Sequence, residues 1–270
     1  MTVRAVLFDL GDTLIFQAHR PEDARLYARM AEQARPLLQS WGLGRQHLDL
    51  PALLRDLYRA VETAQPERRA RGYEVDGSFI TQGALAAYGV DALPEQAAAF
   101  WRATDVGYAL WGAQTYPDVV DTLRRLHRSG LLRALVSNNW FPSETVRSQL
   151  GGVGITHDLL PVIVSSADVM RPKPRPEPFL RALDQLSVAP ADAVFVGDDL
   201  EADVRGAKAL GMTTVWKLNG RHEVPPAPEA DYTIHDLWEL FTLGLLPLQP
   251  SAALPQQSLT PHEDGNAGRY

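Results

Sequence analysis

The sequence predicts an α/β fold: a parallel sheet covered by helices on both faces, interrupted early by an all-helical insert. Three observations carry this. Val3 to Phe8 is an apolar run broken only by Arg4, as in a strand buried on both faces. From Tyr116 onward strand-like and helix-like stretches alternate, the rhythm of a parallel sheet built from crossover units. Between these two regions, over about residues 18–112, only helical patterns occur.

The elements follow in order. The first strand ends at Asp9, with Gly11 and Asp12 supplying turn chemistry. Glu22 to Trp41 spaces Leu26, Met30, Leu37 and Trp41 for a helix, in which Pro36 should mark a start, kink or end. Asp49-Leu50-Pro51 reads as the cap and first turn of a helix to about Ala64, and Pro66 to Gly72 as a charged, turn-rich connection. Ser78 to Tyr88 is helical and stops at Gly89, and Pro94 to Leu110 is another helix opened by its proline. Pro117 to Arg128 is a helix closed by Gly130, followed by the strand Leu131 to Val136 and a short helix after Pro142. Then come the strand Leu159 to Val164, the helix Pro176 to Leu186, the strand Ala193 to Val196 and the helix Asp203 to Leu210, closed by Gly211. Thr213 to Trp216 and Asp231 to Ile234 are the last strands, with a helix from Asp236. The Pro-rich Glu223 to Pro228 and the Pro/Gln/Ser tail from about residue 246 to 270 read as mobile segments.

Composition excludes several functions. The 270 residues carry a net charge of −7, which argues against a general nucleic-acid surface. There is no cysteine, so disulfides, thiolate nucleophiles and cysteine-bound zinc are excluded. No apolar stretch reaches the ~20 residues that span a bilayer, and Asp9 interrupts the first apolar run before a signal peptide could form. The expectation is a soluble cytoplasmic protein. The seven histidines are scattered; His19 is the one worth watching, because it follows closely on the first strand end.

The strand ends carry the chemistry. Asp9 closes the first strand, Ser137 and Asn138 the second, and Asp198 and Asp199 the fourth, with Asp203 close behind; the third leads to Lys173 in a Pro-rich loop. In a doubly wound sheet these ends gather at one edge. Each has an ordinary alternative: a turn for Ser137-Asn138-Asn139, a first-turn charge for Asp203, a solvated head for Lys173. Taken together they fit phosphoryl transfer. A carboxylate nucleophile splits one displacement into two, Mg²⁺ on one or two carboxylates neutralises the approach of anion to phosphate, and a lysine with polar donors holds the phosphate oxygens. Asp9 and Asp198 fit the metal; Ser137, Asn138 and Lys173 fit the phosphate.

The stretches Phe-Asp-Leu-Gly-Asp-Thr-Leu (8–14), Val-Ser-Asn-Asn (136–139), Lys-Pro-Arg-Pro-Glu-Pro-Phe (173–179) and Val-Gly-Asp-Asp-Leu-Glu-Ala-Asp (196–203) resemble the four signature motifs of the haloacid dehalogenase-like (HAD) hydrolases. The resemblance implies a Rossmann-like HAD core over 1–17 and 113–245, and a helical cap over 18–112 that closes on the site and selects substrate. It implies Asp9 as nucleophile and magnesium ligand, Lys173 paired with Asp9 and the phosphate, Ser137 and Asn138 on the phosphate, and Asp198 on the metal. Asp203 would be a further ligand or a partner that orients one. One position departs from the pattern of the family's phosphatases: the aspartate two residues after the nucleophile, their general acid and base, is Gly11 here. The Gly11 carbonyl can still bind magnesium, while the acid would have to come from Asp12, His19, water or the substrate. The implied activity is a Mg²⁺-dependent phosphatase of a small phosphorylated metabolite. The alternatives are a metal-independent haloacid dehalogenase, which also lacks the second aspartate, and a non-catalytic phospholigand-binding protein. Arg59, Arg68, Arg69 and Arg71 in the insert offer either a grip on a second anionic group or, as is usual for such a run, a solvated helix face. Trp101 and Trp111 are equally compatible with core, interface or pocket, and the oligomeric state is open.

Overall fold

The computed structural model describes residues 3–17, 23–43, 48–219 and 229–246. His19, the Pro-rich segment 223–228 and nearly all of the tail from 246 lie outside the described residues. Eight strands are present among them: β1 (Ala5–Phe8), β2 (Ile15–Gln17), β3 (Ala113–Thr115), β4 (Leu132–Ser137), β5 (Val162–Ser165), β6 (Ala193–Gly197), β7 (Thr213–Lys217) and β8 (Tyr232–Ile234). The helices are α1 (Asp23–Ser40), α2 (Leu50–Ala70), α3 (Gly77–Ala87), α4 (Pro94–Ala103), α5 (Val119–Arg128), α6 (Ser143–Gly151), α7 (Ser166–Val169) and α8 (Pro176–Leu186). A π-helical segment, Leu200–Arg205, runs into one α-helical turn, Gly206–Lys208, and a 3₁₀ segment, Leu237–Phe241, stands where a helix was expected.

Six strands form one parallel sheet in the order β5-β4-β1-β6-β7-β8. Its near-continuous apolar strands are explained by burial on both faces. Val6 and Phe8 of β1 and Val194 and Val196 of β6 pack under Val119 and Leu123 of α5 and Val146 and Leu150 of α6. Ala5, Leu7, Ala193 and Phe195 point the other way, onto Phe179, Ala182 and Leu183 of α8. Alternation along each strand thus serves two cores at once. With β1 central, the chain crosses to β4 on one side and later returns to β6 on the other, so the carboxyl ends of β1, β4 and β6 face one crevice.

Helices α1–α4 share a separate core. Leu26, Met30, Ala34 and Leu38 recur every fourth residue on α1 and meet Leu50, Leu53, Leu54, Leu57, Tyr58 and Val61 of α2, with Phe100 and Trp101 of α4. The Asp49 carboxylate caps α2 by accepting the Ala52 N–H at 3.0 Å. The chain enters and leaves this helical region through β2 and β3, an antiparallel ribbon that pairs Ile15 with Thr115 and Gln17 with Ala113.

Several expected boundaries shift. Helix α1 continues through Pro36, and α2 runs on through Pro66 to Ala70, so the connection expected at Pro66 to Gly72 begins only after Ala70. Both prolines lie on exposed faces, where the helical carbonyl each one leaves without an N–H can turn to water. Helix α4 ends at Ala103 rather than Leu110, because Thr104 caps it and Gly107 takes a left-handed turn at φ 77°.

Candidate active site

Asp9 follows directly on β1, its N–H donating to the Val196 carbonyl at 2.9 Å, so the strand ladder fixes its backbone. Lys173 reaches it from the loop before α8. The Lys173 Nζ stands 2.6 Å from Asp9 Oδ1 and 2.7 Å from Asp203 Oδ1. All three residues are buried. The second Asp203 oxygen accepts the backbone N–H groups of Asp198 and Asp199, each at 3.1 Å. Asp203 therefore ties the lysine to the loop after β6. Gly197 is required there: a Cβ would collide with the Asp203 carboxylate. Asp198 is held from the other side by Trp216, whose indole N–H donates to the Asp198 carbonyl at 2.8 Å.

One ammonium between two buried carboxylates leaves net negative charge in a buried site. Burial lifts the carboxyl pKa values despite Lys173, that of Asp9 above its usual range and that of Asp203 to about 6. Burial pulls Lys173 down, but the Asp203 and Asp9 anions outweigh it and hold its pKa up. The set suits a hard divalent cation. Asp9, Asp198 and Asp203 each offer a carboxylate oxygen, all within 4.8 Å of one another. Asp203 is the least available of the three, since both its oxygens already accept hydrogen bonds.

Ser137 closes β4 and is buried beside the central strand. The Asn138 side chain clamps the Lys173 backbone: its Nδ2–H donates to the Lys173 carbonyl at 3.1 Å and its Oδ1 accepts the Lys173 N–H at 2.7 Å. Asn139 extends the network. Its N–H donates to Ser166 Oγ at 2.9 Å and its Nδ2–H to the Tyr108 hydroxyl at 2.9 Å, while Ser166 donates to the buried Glu74 carboxylate of the helical region at 2.5 Å.

Gly11 and Asp12 lead into the turn expected of them. Asp12 adopts φ 55°, and its N–H donates to the Ile15 carbonyl at 2.7 Å, closing a tight turn. Both residues border a cleft of about 540 Å³ between the helical region and the sheet, walled also by Phe16, Tyr108, Trp111 and Asn138. Beneath the turn lies Lys217, buried at the end of β7. Its Nζ donates to the Asp12 carbonyl at 3.2 Å and to Asn219 Oδ1 at 2.5 Å, and sits 3.5 Å from the centre of the Tyr116 ring. Burial lowers its pKa. Sequence reasoning passed over Tyr108 and Glu74, which stand at no strand end, and over Lys217, which closes β7 as Ser137 closes β4.

The two tryptophans separate. Trp101 is core, stacked on Phe141 with centroids 4.5 Å apart, and Trp111 lines the cleft. Of the four arginines, Arg59 and Arg71 are exposed beside Asp56 and Glu67, and Arg68 lies over the Tyr73 ring. Arg69 alone among them lines the cleft.

The family profile described as haloacid dehalogenase-like hydrolase matches residues 3–211. A phosphoserine phosphatase of Thermus thermophilus is 34% identical over 155 residues, which is 56% of this chain and 61% of that protein. A glyceraldehyde 3-phosphate phosphatase of Methanopyrus kandleri is 29% identical over 225 residues, 82% of this chain and 86% of that one. The chain thus spans about three fifths of the first relative's length and most of the second's. Among solved structures, a HAD phosphatase from Thermococcus onnurineus superposes with a TM-score of 0.52 at 26% identity, covering 91% of this chain and 99% of that one. A 2-haloacid dehalogenase from Pseudomonas syringae shares the fold with a TM-score of 0.57 at 23% identity, over 89% and 97% of the two chains. With the profile covering more than half of its length, and the profile's fold present in its sheet, the chain belongs to the haloacid dehalogenase-like hydrolases.

Proposed function

We propose that the protein is a Mg²⁺-dependent phosphatase of a small phosphorylated metabolite, working through an aspartyl phosphate on Asp9. The observation that carries this is the Lys173 ammonium held between Asp9 and Asp203, with the Asp198 carboxylate alongside. Asp9, Asp198 and the Gly11 carbonyl would hold the magnesium, with Asp203 orienting the loop and the lysine. Bound there, the ion would offset the charge of a phosphate dianion approaching an anionic nucleophile.

In the first step the Asp9 carboxylate attacks phosphorus, a P–O bond to Asp9 forms, and the ester P–O bond breaks with its electrons going to the departing alkoxide. The alkoxide must gain a proton. With Gly11 in the usual acid position, Asp12 on the cleft wall is the side chain we assign to that transfer. In the second step water attacks the same phosphorus and gives a proton to the Asp12 carboxylate, while the P–O bond to Asp9 breaks with its electrons returning to the Asp9 carboxylate, releasing inorganic phosphate. Throughout, Lys173 neutralises the oxygens around Asp9, and Ser137 and the Asn138 N–H hold the transferring group. The helical region of 18–112 acts as the cap that closes over the cleft.

Steady-state assays on a panel of phosphate monoesters test the proposal. Activity is expected with Mg²⁺ and not with EDTA, to be abolished in Asp9→Asn, and to fall only partly, by about 10²-fold, the low end for general acid catalysis, in Asp12→Asn. Gly11 favours one second reading, hydrolytic dehalogenation with Asp9 displacing halide. EDTA-insensitive turnover of a 2-haloacid would establish that reading instead.

A further inference from the structure

Arg69 belongs to α2 and shares one face of it with Glu62 and Gln65, at spacings of three and four residues; all three border the cleft. Its donors are under-used. The Nε atom is buried and has no hydrogen-bond partner among the described residues. One terminal nitrogen lies 3.6 Å from Glu74 Oε2, beyond hydrogen-bond length. The Glu74 carboxylate is itself committed, accepting the Val75 N–H at 2.9 Å and the Ser166 hydroxyl at 2.5 Å. Glu74 therefore steers the guanidinium without consuming it. A planar fork with spare donors, at the edge of a cleft walled by Phe16, Trp111 and Phe141, is built to receive a planar oxyanion at the end of a short, partly apolar body. The charge count selects which oxyanion. One guanidinium faces a cleft that Asp12 and Glu62 also line, with Glu74 beside it, and so many carboxylates around one cation suit a single added negative charge better than a second phosphate dianion.

We infer that Arg69 is a specificity-determining residue that selects phosphate esters whose leaving group ends in a carboxylate. This rests on the phosphatase reading for the phosphate end alone, so the test measures binding separately from turnover. Calorimetric titration in Mg²⁺ compares 3-phosphonopropionate with propylphosphonate, which differ in the carboxylate, and with propane-1,3-bisphosphonate. Wild type is expected to bind 3-phosphonopropionate at least about tenfold more tightly than propylphosphonate, the scale of one charge-assisted hydrogen-bond pair. Arg69→Gln should reduce the ratio to below about twofold with propylphosphonate affinity unchanged, and Arg71→Gln should keep it. Absence of a preference in wild type, its survival in Arg69→Gln, or equal losses for both ligands would overturn the inference. A stronger preference for the bisphosphonate would overturn the assignment to carboxylate. If wild type hydrolyses no ester while the preference appears and vanishes with Arg69, the phosphatase reading fails and this inference stands.

Discussion

Lys173 supplies one positive charge to two buried carboxylates, and this imbalance makes the site sensitive to protons when no cation is bound. The folded-state pKa of Asp203 is raised from 3.8 to about 6, so the folded protein keeps a proton that the unfolded chain releases. That contribution is fully present below 3.8 and is lost as pH rises through 6. Thermal melts in chelator are therefore expected to show stability falling across this window in wild type, and a flatter profile in Asp203→Asn. Removing the lysine has the opposite character. Lys173→Met leaves Asp9 and Asp203 facing each other without a cation, and urea unfolding near pH 7 should register a loss of ~3–5 kcal/mol. Asp9, Ser137, Asp198 and Asp203 were legible in the sequence because apolar runs break abruptly at polar groups. Tyr108 and Glu74 were not, since their polar partners lie 31 and 92 residues away and no local pattern announces them; Lys217 does end an apolar run, but its tie to the Asp12 carbonyl spans 205 residues.

At the scale of elements, the strands of the main sheet and helix α8 declare themselves by composition and by the proline that opens the helix. The strands β2 and β3 do not, because neither Ile15-Phe16-Gln17 nor Ala113-Gln114-Thr115 makes an alternating or continuous apolar run. The length of α2 was hidden for a different reason. Pro66 reads locally as a break, and packing of the helix's apolar face overrides it. Helix α4 offers a test of how the helical region is seated. Trp101 lies in the helical core, stacks on Phe141 from the loop after β4, and donates to the Trp140 carbonyl at 3.4 Å. Trp101→Ala is expected to cost ~3–5 kcal/mol in a denaturant titration. Gly77→Ala should be similarly harmful, since the added Cβ would meet the Trp101 ring.

For the molecule as a whole, magnesium and folding are expected to be linked. A cation held by Asp9 and Asp198 binds only the folded chain, so at a concentration 100-fold above its dissociation constant it should add about 2.7 kcal/mol of stability. Calorimetric melts with and without Mg²⁺ would show the gain, and Asp198→Asn should remove most of it. No helix among the described residues is long and apolar enough to cross a membrane. The β2–β3 ribbon has a consequence of another kind. Because Gln17 and Ala113 are register partners, the chain returns to its point of departure after the whole helical excursion. Closing so long a loop adds only slowly to the entropic cost with each added residue. In the connectivity of the chain, the ninety-odd intervening residues stand where a hairpin turn would. A segment tethered in this way can differ in size without moving the strand ends that gather at the crevice.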